Sequence, residues 1–269
     1  MRFSAHSPLA ADDLQLLRDV AEAAGREIMA VYEQGGAVWS KADSSPLTEA
    51  DLRADRLIRE RLTSLFPGVF ILSEESQSSG GGAPGEFFLV DPLDGTKEFL
   101  DRTGEFTVNV AFVREGRPMA GVVHAPALGE TFYAMRGGGA WKIVDGGAVR
   151  VSARKAEGQP LRIVGSRSHG LEALTSWLAR LPYAHDFVAV GSALKFCRIA
   201  EGGADLYARF GPTSQWDTAA GQAVLEEAGG AVTDFFGAPL LYGLDRPLLN
   251  PDFIAAGDVG LLPRLPGAS

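Results

Sequence analysis

Residues 87–96 read Phe-Phe-Leu-Val-Asp-Pro-Leu-Asp-Gly-Thr. Phe87 to Val90 predicts a short apolar strand that runs straight into Asp91. Pro92 and Gly95 bend the chain, so a tight loop can point Asp91, Asp94 and an intervening carbonyl into one space. Upstream, Val69 to Leu72 repeats the arrangement, with a buried strand entering Ser73-Glu74-Glu75-Ser76. Carboxylates at strand ends can converge at one edge of a sheet.

Before these strands, Leu14, Leu17, Ala21, Ala24, Ile28 and Val31 recur at helical spacing between Asp12 and Glu33. In the next segment Thr48 stands three residues before Asp51, close to a capping box. Leu57, Ile58, Leu62 and Leu65 supply that helix's buried side, and Pro67-Gly68 ends it. Residues 77–86 have the composition of a surface loop. Residues 107–143 predict a meander of three or four strands with turns near Glu115–Pro118, Ala125–Gly129 and Arg136–Gly139. Gly137-Gly138-Gly139 lacks both the spacing and the following helix of a dinucleotide fingerprint, and reads as a turn.

A polar stretch, Arg154 to Pro160, precedes a change of pattern. Beyond it, strands at Leu161–Val164, Phe187–Val190 and Ala204–Tyr207 alternate with helices at Leu171–Leu178, Ser192–Ala200 and Asp217–Ala228. The expected organisation is an α+β region over 1–155 carrying most of the acids, followed by an α/β region over 156–269.

The 269 residues suffice for one large domain or two smaller ones. With 25 basic and 34 acidic side chains the formal charge is -9, which argues against a stable nucleic-acid partner. It leaves room for a small phosphorylated ligand in a local cationic or metal-lined pocket. The single cysteine, Cys197, excludes an internal disulfide and any thiolate-rich metal site, and reads as a buried helix residue. The first residues reach acid too soon for a signal peptide, and no apolar run approaches the length of an integral membrane segment. The expected compartment is a reducing cytoplasm, with peripheral association to the inner face of the membrane left open.

Glu74, Asp91, Asp94 and Asp217 form the most informative set. Their oxygen donors suit Mg²⁺, and the chain offers no clustered sulfur or histidine site. Each has a plainer reading. Glu74-Glu75 fits a solvated turn, Asp91 and Asp94 fit turn caps, Asp217 fits a helix cap, and Asp51 fits its capping box.

The blocks KADSSPLTEAD (41–51), LSEES (72–76), DPLDGTKEF (91–99), EFTVN (105–109), GSALKFCRIAEG (191–202) and RFGPTSQWDTAAG (209–221) together carry a resemblance over nearly the whole chain, as far as LLNPDF (248–253). The sequence resembles the magnesium-dependent, lithium-inhibited phosphatases of the inositol monophosphatase superfamily, and within it the bacterial 3'(2'),5'-bisphosphate nucleotidases. The resemblance implies an α+β, layered α-β-α-β-α sandwich of the sugar phosphatase type, with the active site between the two regions. It implies two or three Mg²⁺ ions held by Glu74, Asp91, the Leu93 carbonyl, Asp94 and Asp217. It assigns water activation to Thr96 with help from Glu74 or Asp51.

Ser192 and Lys195 are spaced for one helix face, Arg209 precedes the Asp217 helix, and Ser166-Arg167-Ser168-His169 follows another strand. Each basic residue, taken alone, also fits a solvated surface. The resemblance gives His169, Ser192, Lys195 and Arg209 the sugar-phosphate portion of a nucleotide, and adds Glu74, Leu93, Asp94, Gly95, Thr96 and Asp217 as contacts to the reacting phosphate. Inositol monophosphatases usually carry glutamate where this chain has Arg209, whose rigid fork suits a second phosphate. The implied reaction removes the 3'-phosphate of adenosine 3',5'-bisphosphate, a small-molecule by-product of sulfate assimilation. The alternatives are an inositol- or sugar-phosphate phosphatase and a metal-dependent nucleotide sensor without turnover. Monomer and homodimer both remain open.

Overall fold

The first helical stripe forms as its spacing predicts. In the computed structural model, which describes residues 9–41, 46–76, 85–156, 160–167 and 170–267, α1 spans Ala11–Gln34 and buries Leu17, Ala21, Ala24, Ile28 and Val31. A small antiparallel pair, β1 (Val38–Ser40) and β2 (Pro46–Thr48), leads into α2 (Glu49–Leu65). Thr48 caps α2. Its backbone N–H donates to Asp51 Oδ2 at 2.7 Å in a complete capping box. Ala50, Ala54, Ile58 and Leu62 make the buried face.

The next elements are β3 (Phe70–Ser73), β4 (Glu86–Asp94), α3 (Thr96–Leu100), β5 (Thr107–Arg114), β6 (Arg117–Ala125), β7 (Glu130–Met135), β8 (Gly139–Val144) and β9 (Gly147–Val151). The seven strands form one sheet in sequence order, with β3 parallel to β4 and the other pairs antiparallel. Side chains alternate across it, as the pleat requires. Phe88, Val90 and Phe112 join the core under α1 and α2, while Phe87, Leu89 and Val113 face the opposite way. Each fully buried phenylalanine contributes about 1.5–3 kcal/mol of transfer free energy.

The expected meander over 107–143 forms as four strands, β5 to β8, and β9, largely exposed and without apolar alternation, extends it beyond that range. A correction concerns residues 91–94. They remain strand instead of turning in a tight loop. Asp91 pairs with Asn109 and Asp94 with Thr107, so the register slips by one residue between them. This bulge lets the ladder pass Pro92, which has no N–H to donate.

The remaining elements are β10 (Leu161–Gly165), α4 (Leu171–Leu178), β11 (His185–Ala189), α5 (Leu194–Ala200), β12 (Leu206–Arg209), α6 (Gln215–Glu227), β13 (Ala231–Asp234) and β14 (Phe253–Ala256). The second sheet has the order β11-β10-β12-β14-β13, parallel across β11, β10 and β12 and antiparallel thereafter. β12 starts later than expected because Ala204 and Asp205 are held in the preceding turn by the Arg198 and Arg162 carbonyls. The core between the sheets combines Phe87 and Leu89 with Phe196 of α5, Val224 of α6 and Tyr207 and Phe253 of the second sheet. Cys197 is buried in that layer. The outer face of the second sheet packs Leu161, Ile163 and Leu206 against Leu174 and Trp177 of α4. The layers thus run α-β-α-β-α. Across the expected junction, Arg154 makes two 2.6 Å bonds to the Asp205 carboxylate. Among the described residues no helix is long and apolar enough to cross a membrane.

Candidate active site

The bulge in β4 brings the acids of the sequence motif to one place. The Leu93 N–H donates to Asp91 Oδ1 at 3.1 Å, which fixes the Asp91 carboxylate against the bulge. Gly95 has φ +90°, a conformation that suits glycine, and it turns the chain into α3. Thr96 opens α3, and its hydroxyl donates to the Leu93 carbonyl at 3.4 Å. On the neighbouring strand, the Glu74 N–H donates to the Val90 carbonyl at 3.1 Å, so Glu74 enters beside Asp91. Asp94 Oδ2 accepts Asn109 Nδ2 at 3.1 Å and the Ala193 N–H at 2.7 Å. Asp217 is the third residue of α6, and its Oδ2 accepts the Ser214 N–H at 2.9 Å. The helix-cap reading of Asp217 therefore holds, and the residue also reaches the cavity described next.

A cavity of about 330 Å³ is lined by Glu74, Asp91, Leu93, Asp94, Gly95 and Thr96 from the first part of the chain and by Ser192, Lys195, Arg209 and Asp217 from the second. Burial is the main cause of the shifted proton affinities there. It pushes the Asp91 carboxyl well above the ordinary carboxylate range, with the negative charges of Glu74, Asp94 and Asp217 adding to the effect. Asp94 rises to about 6 through burial, although the Lys195 charge opposes the rise. Asp217 rises to about 8 through burial and then the Asp94 charge. Lys195, buried too, falls to about 8.

This wall fits a hard divalent cation. It presents carboxylate oxygens, and burial together with the negative charge of neighbouring carboxylates raises the proton affinities of Asp91 and Asp217, a cost that a bound cation would relieve. Among the described residues, no three His, Cys, Asp or Glu side chains close into a ready cage. The carboxylates line a shared wall, with Leu93 between two of them.

The other sequence candidates have different placements. Asp51 is buried but does not line the cavity; its Oδ2 serves Thr48. Burial raises its proton affinity, with Glu74 adding and Lys41 opposing. His169 lies outside the described residues. Ser192 precedes α5 rather than sharing its face, with φ +48°. Lys195 still reaches it, donating to the Ser192 carbonyl at 2.6 Å and the Val190 carbonyl at 3.2 Å. Arg209 ends β12, donates from Nη2 to the Pro212 carbonyl at 2.8 Å, and keeps Nε buried without a hydrogen-bond partner among the described residues. Arg167 bonds to Glu105 and to the Ala189 carbonyl.

Lys41 is a residue that sequence reasoning missed. Its Nζ donates to Glu74 Oε1 at 2.7 Å and to Glu75 Oε1 at 2.6 Å. Burial alone would lower its proton affinity, but the two carboxylates outweigh it and raise it. Burial lifts Glu75 to about 7 despite that contact. The available signal was its place at the head of the 41–51 block.

Comparison with known proteins gives the family of the chain. The sequence model described as the inositol monophosphatase family matches residues 11–261. The chain is 45% identical over 244 residues to the 3'(2'),5'-bisphosphate nucleotidase CysQ of Escherichia coli (strain K12), covering 87% of this chain and 95% of that protein. It is 37% identical over 244 residues to the protein of the same name from Haemophilus influenzae, covering 89% and 90%. Among solved structures, CysQ from Bacteroides thetaiotaomicron superposes with a TM-score of 0.76 at 35% identity, covering 91% of this chain and 97% of that one. An IMPase of Thermotoga maritima superposes with a TM-score of 0.77 at 27% identity, covering 91% and 92%. From its first helix to its last turns, the chain belongs to the inositol monophosphatase family.

Proposed function

We propose that this protein is a Mg²⁺-dependent 3'(2'),5'-bisphosphate nucleotidase that hydrolyses the 3'-phosphate of adenosine 3',5'-bisphosphate to AMP and phosphate. The observation that carries the reading is one cavity in which Glu74, Asp91, Asp94 and Asp217, with Glu98 beside them, meet two buried cationic side chains, Lys195 and Arg209. The site lies between region 1–155 and region 156–269. Glu74, Asp91, the Leu93 carbonyl, Asp94 and Asp217 hold two or three Mg²⁺ ions, and the wall's oxygen donors support that choice. When bound, Mg²⁺ supplies Lewis acidity, lowers the pKa of water and stabilises charge on the leaving oxygen.

The chain's own groups orient the reaction. Thr96, at the start of α3, directs its hydroxyl toward the reacting water, and Glu74 lines the same cavity. Asp51 acts from behind the wall, through the field it shares with Lys41 and Glu74. Water attacks phosphorus in line and gives up a proton, the bond from phosphorus to the 3' oxygen breaks, and that oxygen takes up a proton, leaving AMP and phosphate. Arg209 takes the 5'-phosphate, with a donor left over at Nε. Ser192, Lys195 and His169 hold the sugar-phosphate portion.

The test is phosphate release from adenosine 3',5'-bisphosphate and from inositol 1-phosphate at matched Mg²⁺ and pH, before and after chelation. Preference for the nucleotide and loss of turnover on chelation are expected. Preference for inositol 1-phosphate would transfer the chain to the sugar-phosphate reading. Tight nucleotide binding without turnover would make it a sensor.

A further inference from the structure

Asp55 lies one helical turn beyond Asp51 on α2 and is 6% exposed. Its Oδ1 accepts the Ser73 hydroxyl at 2.6 Å. The Ser76 hydroxyl lies 2.9 Å from Oδ2 and 3.1 Å from Oδ1. Arg59 stands 4.0 Å from Oδ2 and offsets part of the buried charge. Ser73 and Ser76 bracket Glu74 and Glu75, so one carboxylate grips both ends of the turn that carries Glu74. The opposite side of that turn is fixed by the Glu74 N–H on the Val90 carbonyl.

We infer that Asp55 is a positioning residue that sets the Glu74 carboxylate in the cavity by holding Ser73 and Ser76. The inference rests on the proposed metal role of Glu74. A glutamate side chain has several rotatable bonds, so its carboxylate stays in place only if its backbone is held and its head has a partner. Lys41 provides the partner at the head. Asp55 holds the backbone on both flanks, through hydroxyl-to-carboxylate bonds of the short, charge-assisted kind. Ser73 is buried, so no solvent can take over its bond to Asp55. Loss of the Asp55 carboxylate would leave the Ser73 hydroxyl unpaired and release the turn. Outer-sphere partners of this kind commonly govern affinity for a metal.

The experiment measures binding of Mn²⁺ alone to the substrate-free protein by calorimetry, for wild type, Asp55→Ala, Asp55→Asn and Ser76→Ala. Melting temperature and the KM for adenosine 3',5'-bisphosphate at saturating Mg²⁺ accompany it. Asp55→Ala should weaken Mn²⁺ binding on the order of ten-fold or more. Asp55→Asn, which keeps one acceptor, should lose less, and Ser76→Ala, which keeps the Ser73 bond, less still. The KM at saturating Mg²⁺ should stay near wild type. If Asp55→Ala does not fold, the graded loss in the other two variants carries the test. Folded variants that melt earlier but bind Mn²⁺ as wild type does would overturn the positioning role and leave the proposed function standing. A wild-type protein that binds no Mn²⁺ would overturn the metal reading and this inference with it.

Discussion

Asp94 Oδ2 accepts the backbone N–H of Ala193 at 2.7 Å, so the bulged end of β4 is bonded directly to the turn that opens α5. The same oxygen takes Asn109 Nδ2, and Asn109 is held in turn by the Thr107 hydroxyl at 3.0 Å. A carboxylate of the first sheet is thereby located relative to Ser192 and Lys195, which come from the second part of the chain. Asp94 of the acidic wall is thus tied directly to the turn that precedes Lys195.

The acidic wall predicts a pH-dependent response to Mg²⁺. Burial and the Asp94 charge raise the Asp217 carboxyl from 3.8 to about 8, so the metal-free fold retains a proton there that the unfolded chain has lost. That term is fully present below the unfolded value of 3.8 and is lost progressively as the pH rises to about 8. Mg²⁺ competes with the proton and binds better as pH rises. The Mg²⁺-induced increase in Tm should therefore be larger at pH 8.5 than at pH 6, and Asp217→Asn should flatten the difference. A Tm increase independent of pH in wild type would remove Asp217 from the ligand set.

Thr96→Ala should reduce kcat by roughly ten- to hundred-fold while changing direct nucleotide affinity little, because the hydroxyl acts on the reacting water. Asp51→Asn should show a smaller kcat loss together with a lower Tm, since Asp51 also completes the cap of α2. Steady-state kinetics beside equilibrium nucleotide binding separates the two roles. Weaker binding of nucleotide by Thr96→Ala at unchanged kcat would place its hydroxyl in substrate binding.

Arg209→Ala should lower kcat/KM for adenosine 3',5'-bisphosphate by roughly ten- to hundred-fold, the value of one buried charge-assisted contact. The loss on inositol 1-phosphate should be much smaller. The comparison matters because Arg209 also donates to the Pro212 carbonyl, in the loop that leads to Asp217. If that support were its main role, both substrates would suffer equally.

Much of this site was legible because its signals are local. A four-residue apolar run ending in Asp91, and a threonine three residues before Asp51, are patterns in adjacent residues, and both form. The bulge was not legible, since Pro92 ordinarily argues against a continuing strand and only the slipped register admits it. Lys41 was missed because a lone lysine in a polar segment looks solvated; its partner Glu74 lies 33 positions away. The strands β13 and β14 lack the run of large apolar residues that marks β3 and β4. Arg167 was weighed as a cation for phosphate, but its charge is matched by Glu105.

The contact between Glu105 and residues 189–191 gives a prediction in which magnitude decides. Glu105 Oε2 accepts Arg167 Nη1 and also the Gly191 N–H, the latter at 3.0 Å. The side chains of Arg167 and Glu105 are 41% and 25% exposed, so the ion pair is worth at most about 1 kcal/mol. Arg167→Ala should leave kcat/KM within a few-fold of wild type. Gly191 is different. A Cβ there would lie 2.6 Å from the Glu105 carbonyl oxygen and 2.8 Å from Glu98 Cγ. The first of these is backbone and cannot swing away, so alanine must displace the chain at 191. Ser192 and Ala193 follow directly, and the Ala193 bond to Asp94 moves with them. Gly191→Ala should therefore lower kcat/KM by roughly ten-fold or more, well beyond Arg167→Ala, with weaker nucleotide binding as Ser192 and Lys195 shift. Kinetics and nucleotide affinity for the two variants, at equal Mg²⁺, check the order. An Arg167→Ala protein more impaired than Gly191→Ala would show that the guanidinium itself serves the substrate, and that the packing of residue 191 does not set the cationic wall.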